Sequence, residues 1–183
     1  MSDEQRDLEH WAFGQDNGTI TLHTDVAGRA ARTGHRLTIE IGEWSGQATT
    51  RDDEPVAITA TIVVGSIRVV SGEGGLTPLT APEKAVAQSN ALKSLHAADR
   101  PEITYESSSI NATSDGYRAE GTLTINGRSR PHALDFARSA DGTTVTASSV
   151  VSHRDFDLKP YSLMMGALKV ADEVGVDISI VVA

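Results

Sequence analysis

Short segments in which apolar and polar residues alternate, each closed by a turn, recur along this chain and confine it to antiparallel β-structure. Successive side chains of a strand point to opposite sides, so a period of two marks a half-buried strand. Residues 19–24 (TITLHT) put Ile20 and Leu22 on one face. Residues 37–41 (LTIEI) set Leu37, Ile39 and Ile41 against Thr38 and Glu40. Residues 57–64 (AITATIVV) set Ile58, Ala60, Ile62 and Val64 against Thr59, Thr61 and Val63. Further strands are predicted over residues 103–107, 117–125, 131–136, 143–152 and 176–182. Turn residues separate them: Asp16-Asn17-Gly18, Ser114-Asp115-Gly116, Asn126-Gly127 and Asp141-Gly142. Asn126-Gly127 is the strongest hairpin signal, because both central positions of a type I′ turn need positive φ.

Two stretches break the pattern. Residues 82–95 (PEKAVAQSNALKSL) predict a helix with Thr80 as N-cap and Pro82 and Glu83 in its first turn; Pro101 ends the helical option. Residues 161–174 (YSLMMGALKVADEV) predict a second helix around Gly166 that turns into the last strand. Residues 28–34 (GRAARTG) read as a helical or looped crossover, and residues 72–75 (GEGG) as a flexible loop. No internal repeat or linker divides the 183 residues, which read as one domain. Eight or nine short strands with apolar-in, polar-out alternation define an all-β barrel or sandwich, and periodicity does not choose between the two. A barrel of eight strands holds packed side chains or one small ligand. Aromatics are only 4 % and the inward residues are mostly aliphatic, which fits either an open interior or a filled one.

Charge and composition narrow the function. Sixteen basic against 25 acidic residues give a net charge of -9. No Lys/Arg cluster offers a phosphate-binding face, so nucleic acid is not an expected partner. The same balance disfavours an anionic membrane surface. No apolar run approaches the roughly 20 residues of a spanning helix, and the polar, acidic opening lacks a signal-peptide pattern, so the expectation is a cytoplasmic protein without membrane insertion. Cysteine is absent, which removes disulfides, thiolate metal sites and a cysteine nucleophile. The six histidines His10, His23, His35, His96, His132 and His153 show no metal-ligand spacing. Ser, His and Asp are plentiful, but no GxSxG elbow occurs. No catalytic residue, metal ligand or cofactor is predicted, and a homodimer is left open.

Should the strands close into a barrel, the candidate site is its interior. Ile20, Leu22, Leu37, Ile39, Ile41, Ile58, Ile62, Leu123, Ile125, Phe136, Val145, Ile178 and Ile180 are predicted to face inward by their alternation with polar neighbours. Arg29, Arg32 and His35 form the one clustering of cations with an imidazole, on a connecting loop; Arg offers a fork to a phosphate or carboxylate head group. Such a trio is also what an ordinary solvated turn contains. Tyr161, after Pro160, is placed at the barrel end, its phenol bonding a ligand or a backbone carbonyl. Met164 and Met165 are predicted as adaptable core filler, and Trp11 and Trp44 as apolar covers.

Several ordered motifs carry a resemblance. The stretch WAFGQDNGTITLHTDVAGRAARTGHRLTIEIGEWSG, residues 11–46, resembles the start of YceI-like proteins. The predicted helix followed by Pro101-Glu102-Ile103-Thr104-Tyr105 resembles that family's helix and "P-E-I-x-F" strand, with Tyr105 where Phe is usual. Residues 121–127 (GTLTING) followed by Arg130-Pro131 are similar to the family's hairpin, and residues 159–174 to the tail of its cytosolic members. This resemblance implies an eight-stranded antiparallel, lipocalin-like barrel with one or two helices packed on it. It also implies binding of a polyisoprenoid or other lipid inside the barrel, and it attaches no catalytic residues. On that reading the ligand-binding candidates are the interior residues above together with Arg32, His35 and Tyr161.

Overall fold

Alternation becomes pairing over most of the chain. The computed structural model describes residues 7–182; residues 1–6, part of the polar opening read above, lie outside the described residues. The strands, in chain order, are β1 (Leu8–Gly14), β2 (Gly18–His23), β3 (Val26–Ala27), β4 (His35–Ile41), β5 (Trp44–Arg51), β6 (Glu54–Val63) and β7 (Ile67–Gly74). Helix α1 (Ala81–Ser94) follows, then β8 (Glu102–Ala112), β9 (Tyr117–Ile125), β10 (Arg128–Arg138) and β11 (Thr144–Ser152). The chain ends with β12 (Ser162–Leu163), β13 (Leu168–Val170) and β14 (Glu173–Val181). No helix among the described residues is long and apolar enough to cross a membrane, which says nothing of crossing by strands.

Eleven strands form one sheet in the order β1-β5-β6-β8-β9-β10-β11-β14-β2-β4-β7, and β3, β12 and β13 form a small sheet in the order β12-β13-β3. The all-β class holds, but the large sheet is a curled half-barrel with β1 and β7 at its edges, not a clearly closed eight-stranded barrel. The expected strand count fell short because β1, β5 and β7 carry weak alternation: WSGQATTR in β5 has small residues on both faces, and SGEG ends β7. The edge at β7 is managed by α1, which packs on it; Gln88 Oε1 accepts a hydrogen bond from Val69 N at 3.2 Å. A side chain thus occupies a backbone donor that an edge strand would otherwise leave to another chain.

Two further expectations need correction. Residues 72–75 are not a loop: Gly72 to Gly74 pair with β4, and Gly75 (φ 73°) sits under the His35 ring, where a Cβ would come within 2.4 Å of Nε2. The predicted second helix over residues 161–174 is absent. Its Met and Ala content favours helix, but β13 pairs with both β12 and β3, and residues 173–181 join β11 and β2. Strand pairing outweighs a propensity worth tenths of a kcal/mol per residue. Asp172 anchors this reversal, accepting hydrogen bonds from the Ser152 hydroxyl, Arg154 N and Arg154 Nε.

The first helix forms as expected. Thr80 Oγ1 accepts from Glu83 N, and Glu83 Oε2 accepts from Thr80 N at 2.7 Å, a reciprocal capping box. The cap positions a helix that carries no fully buried residue of its own. Thr80→Ala is expected to lower stability by about 1 kcal/mol, read as a lower urea midpoint with an unchanged slope.

Candidate functional site

The concave face of the curled sheet and the underside of α1 enclose a cavity of about 570 Å³. That lies within the range of small-molecule sites. Its walls are built strand by strand from the alternation. β2 supplies Ile20 and Leu22, β4 supplies Leu37, Ile39 and Ile41, and β6 supplies Ile58, Ala60 and Ile62. β9 adds Leu123 and Ile125, β14 adds Ile178 and Ile180, and Tyr161 closes one side. α1 and its C-cap turn Ala87, Ala91 and Leu95 toward the space, positions four apart and hence on one helix face. Pro82, Glu83 and Val86 on α1 and Leu163 on β12 are both exposed and part of the lining, so the cavity reaches solvent between these elements.

Five predicted inward or head-group residues stand elsewhere. Phe136 shares the inner face of β10 with Leu134 but stacks on Tyr117, ring centroids 5.4 Å apart, outside the lining. The Tyr117 hydroxyl donates to Glu54 Oε2 at 2.5 Å, so this pair closes the far hairpin tips. Val145 lies opposite Ile180 and likewise misses the cavity. Arg32 and His35 are not in the wall either: Arg32 is exposed in a one-turn helix, and His35 Nε2 donates to Thr77 O at 2.7 Å. Arg29, on the same connection, is exposed as well. No Lys or Arg among the described residues lines the cavity.

Polar groups in the wall are few and mostly satisfied internally. His132 Nε2 and Ser149 Oγ form a hydrogen bond of 2.9 Å, and the Tyr105 hydroxyl donates to Ala119 O (3.4 Å) and His132 O (3.5 Å). Gly121 makes room for that phenol; a Cβ there would approach the Tyr105 ring and hydroxyl to 2.8 Å. His153 Nδ1 donates to Asp172 O at 2.7 Å, and Thr24 Oγ1 accepts from Leu37 N at 2.9 Å. Burial lowers the His132 pKa and, with Glu120 nearby, raises that of Tyr105. Both are therefore neutral walls near pH 7. Trp44 also lines the cavity, and its Nε1 is the buried side-chain donor without a partner among the described residues.

His132 and Ser149 make an imidazole–hydroxyl pair, but no carboxylate hydrogen-bonds to His132 among the described residues, so the orienting third member of a hydrolytic triad is not supplied. No group of three or more His, Asp or Glu side chains among the described residues is arranged to hold a metal ion. The sequence reading missed His132, Ser149 and the helix residues. The i, i+4 spacing of Ala87, Ala91 and Leu95 was the available signal for the last of these.

The chain matches the YceI-like domain over residues 11–182 and belongs to that family. The crystal structure of BcnA from Burkholderia cenocepacia shares its fold with a TM-score of 0.68 at 17 % identity, covering 93 % of this chain and 99 % of that one. A mutant Campylobacter jejuni YCEI protein made for nanotechnology applications matches at 15 % identity with a TM-score of 0.57, covering 79 % of this chain and 82 % of that one. Another mutant of that protein, with a monobromobimane guest, gives 0.56 at the same identity and coverage. At these identities the likeness shows the fold alone. No curated protein matches the chain by sequence.

The half-buried His132 imidazole carries a pH signature. Because its native pKa is lowered, the unfolded chain takes up the proton first as pH falls, and stability drops below an unfolded His pKa of about 6.5. Unfolding midpoints measured from pH 8 to pH 5 (about the span of that titration) are expected to decline, and His132→Gln is expected to flatten part of the decline.

Proposed function

We propose that this protein binds an elongated apolar molecule, a polyisoprenoid or related lipid, in the cavity between the curled sheet and α1. The observation that carries the reading is the wall itself. It is lined mainly by aliphatic side chains from most strands of the large sheet and from α1, holds no Lys or Arg among the described residues, and its His132, Ser149 and Tyr105 side chains already hydrogen-bond to one another or to the backbone. Membership of the YceI-like family supports it, since the resemblance of the motifs implies the same ligand class.

Magnitudes favour a long ligand. Each buried CH₂ contributes about 0.8 kcal/mol, whereas association and ordering cost roughly 4–15 kcal/mol, so about ten or more buried carbons are needed before binding is useful. Ile20, Leu22, Leu37, Ile39, Ile41, Ile58, Ile62, Leu123, Ile125 and Tyr161 are the proposed contacts. Arg32, His35 and Phe136 lie outside the wall and drop out of the set. The mechanism is sequestration, with no chemical step.

Ile62→Trp places an indole in the cavity wall. It is expected to abolish uptake of a fluorescent isoprenoid analogue while the far-ultraviolet spectrum and melting temperature stay near wild type. A filled core would instead show a loss of about 1–3 kcal/mol from overpacking and no uptake by the wild type. Native mass spectrometry of freshly purified protein should show a co-purifying apolar mass that organic extraction removes.

A further inference from the structure

The small sheet of β3, β12 and β13 has an outer face that the cavity does not use. Its tip is the turn Met164, Met165, Gly166, with φ of 49°, 54° and 86°. Left-handed backbone suits glycine, so two successive methionines there are held against local preference. They are held outward: Met165 is fully exposed, Met164 is 59 % exposed and Leu163 is 48 % exposed. Three neighbouring apolar side chains at a turn tip are not core filler.

The charge around this tip departs from that of the chain. Residues 26–35 and 158–171 make up β3, β12, β13 and their turns, and they hold Arg29, Arg32, Lys159 and Lys169 with no Asp or Glu, in a chain of net charge -9. All four cations are exposed, and none forms an ion pair with a described residue. Of the acids that flank these stretches, Asp157 pairs with Arg128 and Asp172 with Arg154, whereas Asp25 is exposed and accepts from Val26 N. Meanwhile Tyr161, Leu163 and Val170 of the same unit line the cavity, and Leu163 stands at its mouth.

We propose that this small sheet is a docking face for an anionic lipid surface. Met164, Met165 and Leu163 enter the headgroup boundary, and Arg29, Arg32, Lys159 and Lys169 lie against lipid phosphates. A bilayer supplies both an apolar depth for the tip and negative charge around it, the pairing used by interfacial anchors. The acidic remainder is repelled by the same surface, so only this face approaches, over a field that reaches about a Debye length of 10 Å. The mouth beside Leu163 then opens toward membrane. Docking stands on the face alone; that it serves ligand transfer rests on the apolar-ligand reading above.

The test is co-sedimentation of the intact protein with phosphatidylcholine vesicles, with and without roughly 30 % phosphatidylglycerol, an anionic lipid. Binding is expected only to the anionic vesicles and should fade between about 50 and 300 mM salt as the charges are screened. The double substitution Met164→Ser, Met165→Ser should remove it. Arg32→Ala and Lys169→Ala should each weaken it about five-fold, one cation's contribution at such a surface. Melting temperatures should not change, because these side chains are exposed. Absence of wild-type binding, equal binding to neutral vesicles, or binding indifferent to these substitutions overturns the proposal. A dimer that depends on the methionines, without vesicle binding, also overturns it and gives the face to a second copy. Uptake of a fluorescent isoprenoid analogue without vesicles separates the two readings: uptake with no vesicle binding defeats docking alone, and vesicle binding with no uptake defeats the ligand reading alone.

Discussion

The concave face of the eleven-stranded sheet is aliphatic, and a single 14-residue helix covers it without filling it. Everything else in the molecule answers to that constraint. A second sheet packed face to face would have completed a sandwich core about 10 Å thick. Here α1 contributes Ala87 and Ala91 where it meets the space, and small side chains leave the middle open. At about 24 cal/mol per Å³, a sealed void of this size in a finished core would cost roughly 14 kcal/mol, as much as a whole domain's stability. A space that large is not a packing flaw. It is sustained because it opens to solvent beside Val86 and Leu163 and because its rim is built from hydrogen-bonded elements.

Those rim elements explain why the wall stays in place. The Thr80–Glu83 box fixes the start of α1, and Gln88 ties its middle to the backbone of β7. Within the wall, the pairing of His132 with Ser149 and the bonds from Tyr105 satisfy polar groups that would otherwise draw water inward. An unsatisfied buried donor costs about 1–3 kcal/mol, and Trp44 Nε1 is the place where that cost is carried. It lies in the indole that also lines the cavity.

The sequence shows part of this and hides part of it, for physical reasons. Where one face is buried and the other wet, as in β2, β4 and β6, a one-residue slip would expose the whole apolar set, so the pattern is sharp and Ile20, Leu22, Leu37, Ile39, Ile58 and Ile62 could be read directly. Asn126 (φ 54°) and Gly127 (φ 69°) took the turn that their chemistry prescribes. The hairpin between β5 and β6 uses Asp52 (φ 52°) and Asp53 (φ 64°), where the same backbone hides behind a pair of acids. Whether a sheet closes depends on pairing between strands far apart in the chain, and no local period reports it. The tail misled for the opposite reason: its helical propensity is real, but local preference is weak beside strand pairing on both flanks. Phe136 had the right parity and the wrong height along its strand. Parity is a property of sequence, whereas height depends on register.

Charge taught the same lesson at a larger scale. A net charge of -9 excludes uniform attraction to an anionic surface, but attraction depends on the field at the face that approaches, not on the sum over the molecule. Residues 26–35 and 158–171 lie more than a hundred positions apart in sequence and become one cationic unit only when β13 pairs with β3. Along the chain, Arg29 and Arg32 look like a solvated turn, and Lys159 and Lys169 look like spacing between apolar residues. The pairing of Lys169 with Ala27 and of Val170 with Val26 joins them beside Met164 and Met165. The strand pairing that removed the predicted helix is therefore also what assembled this face.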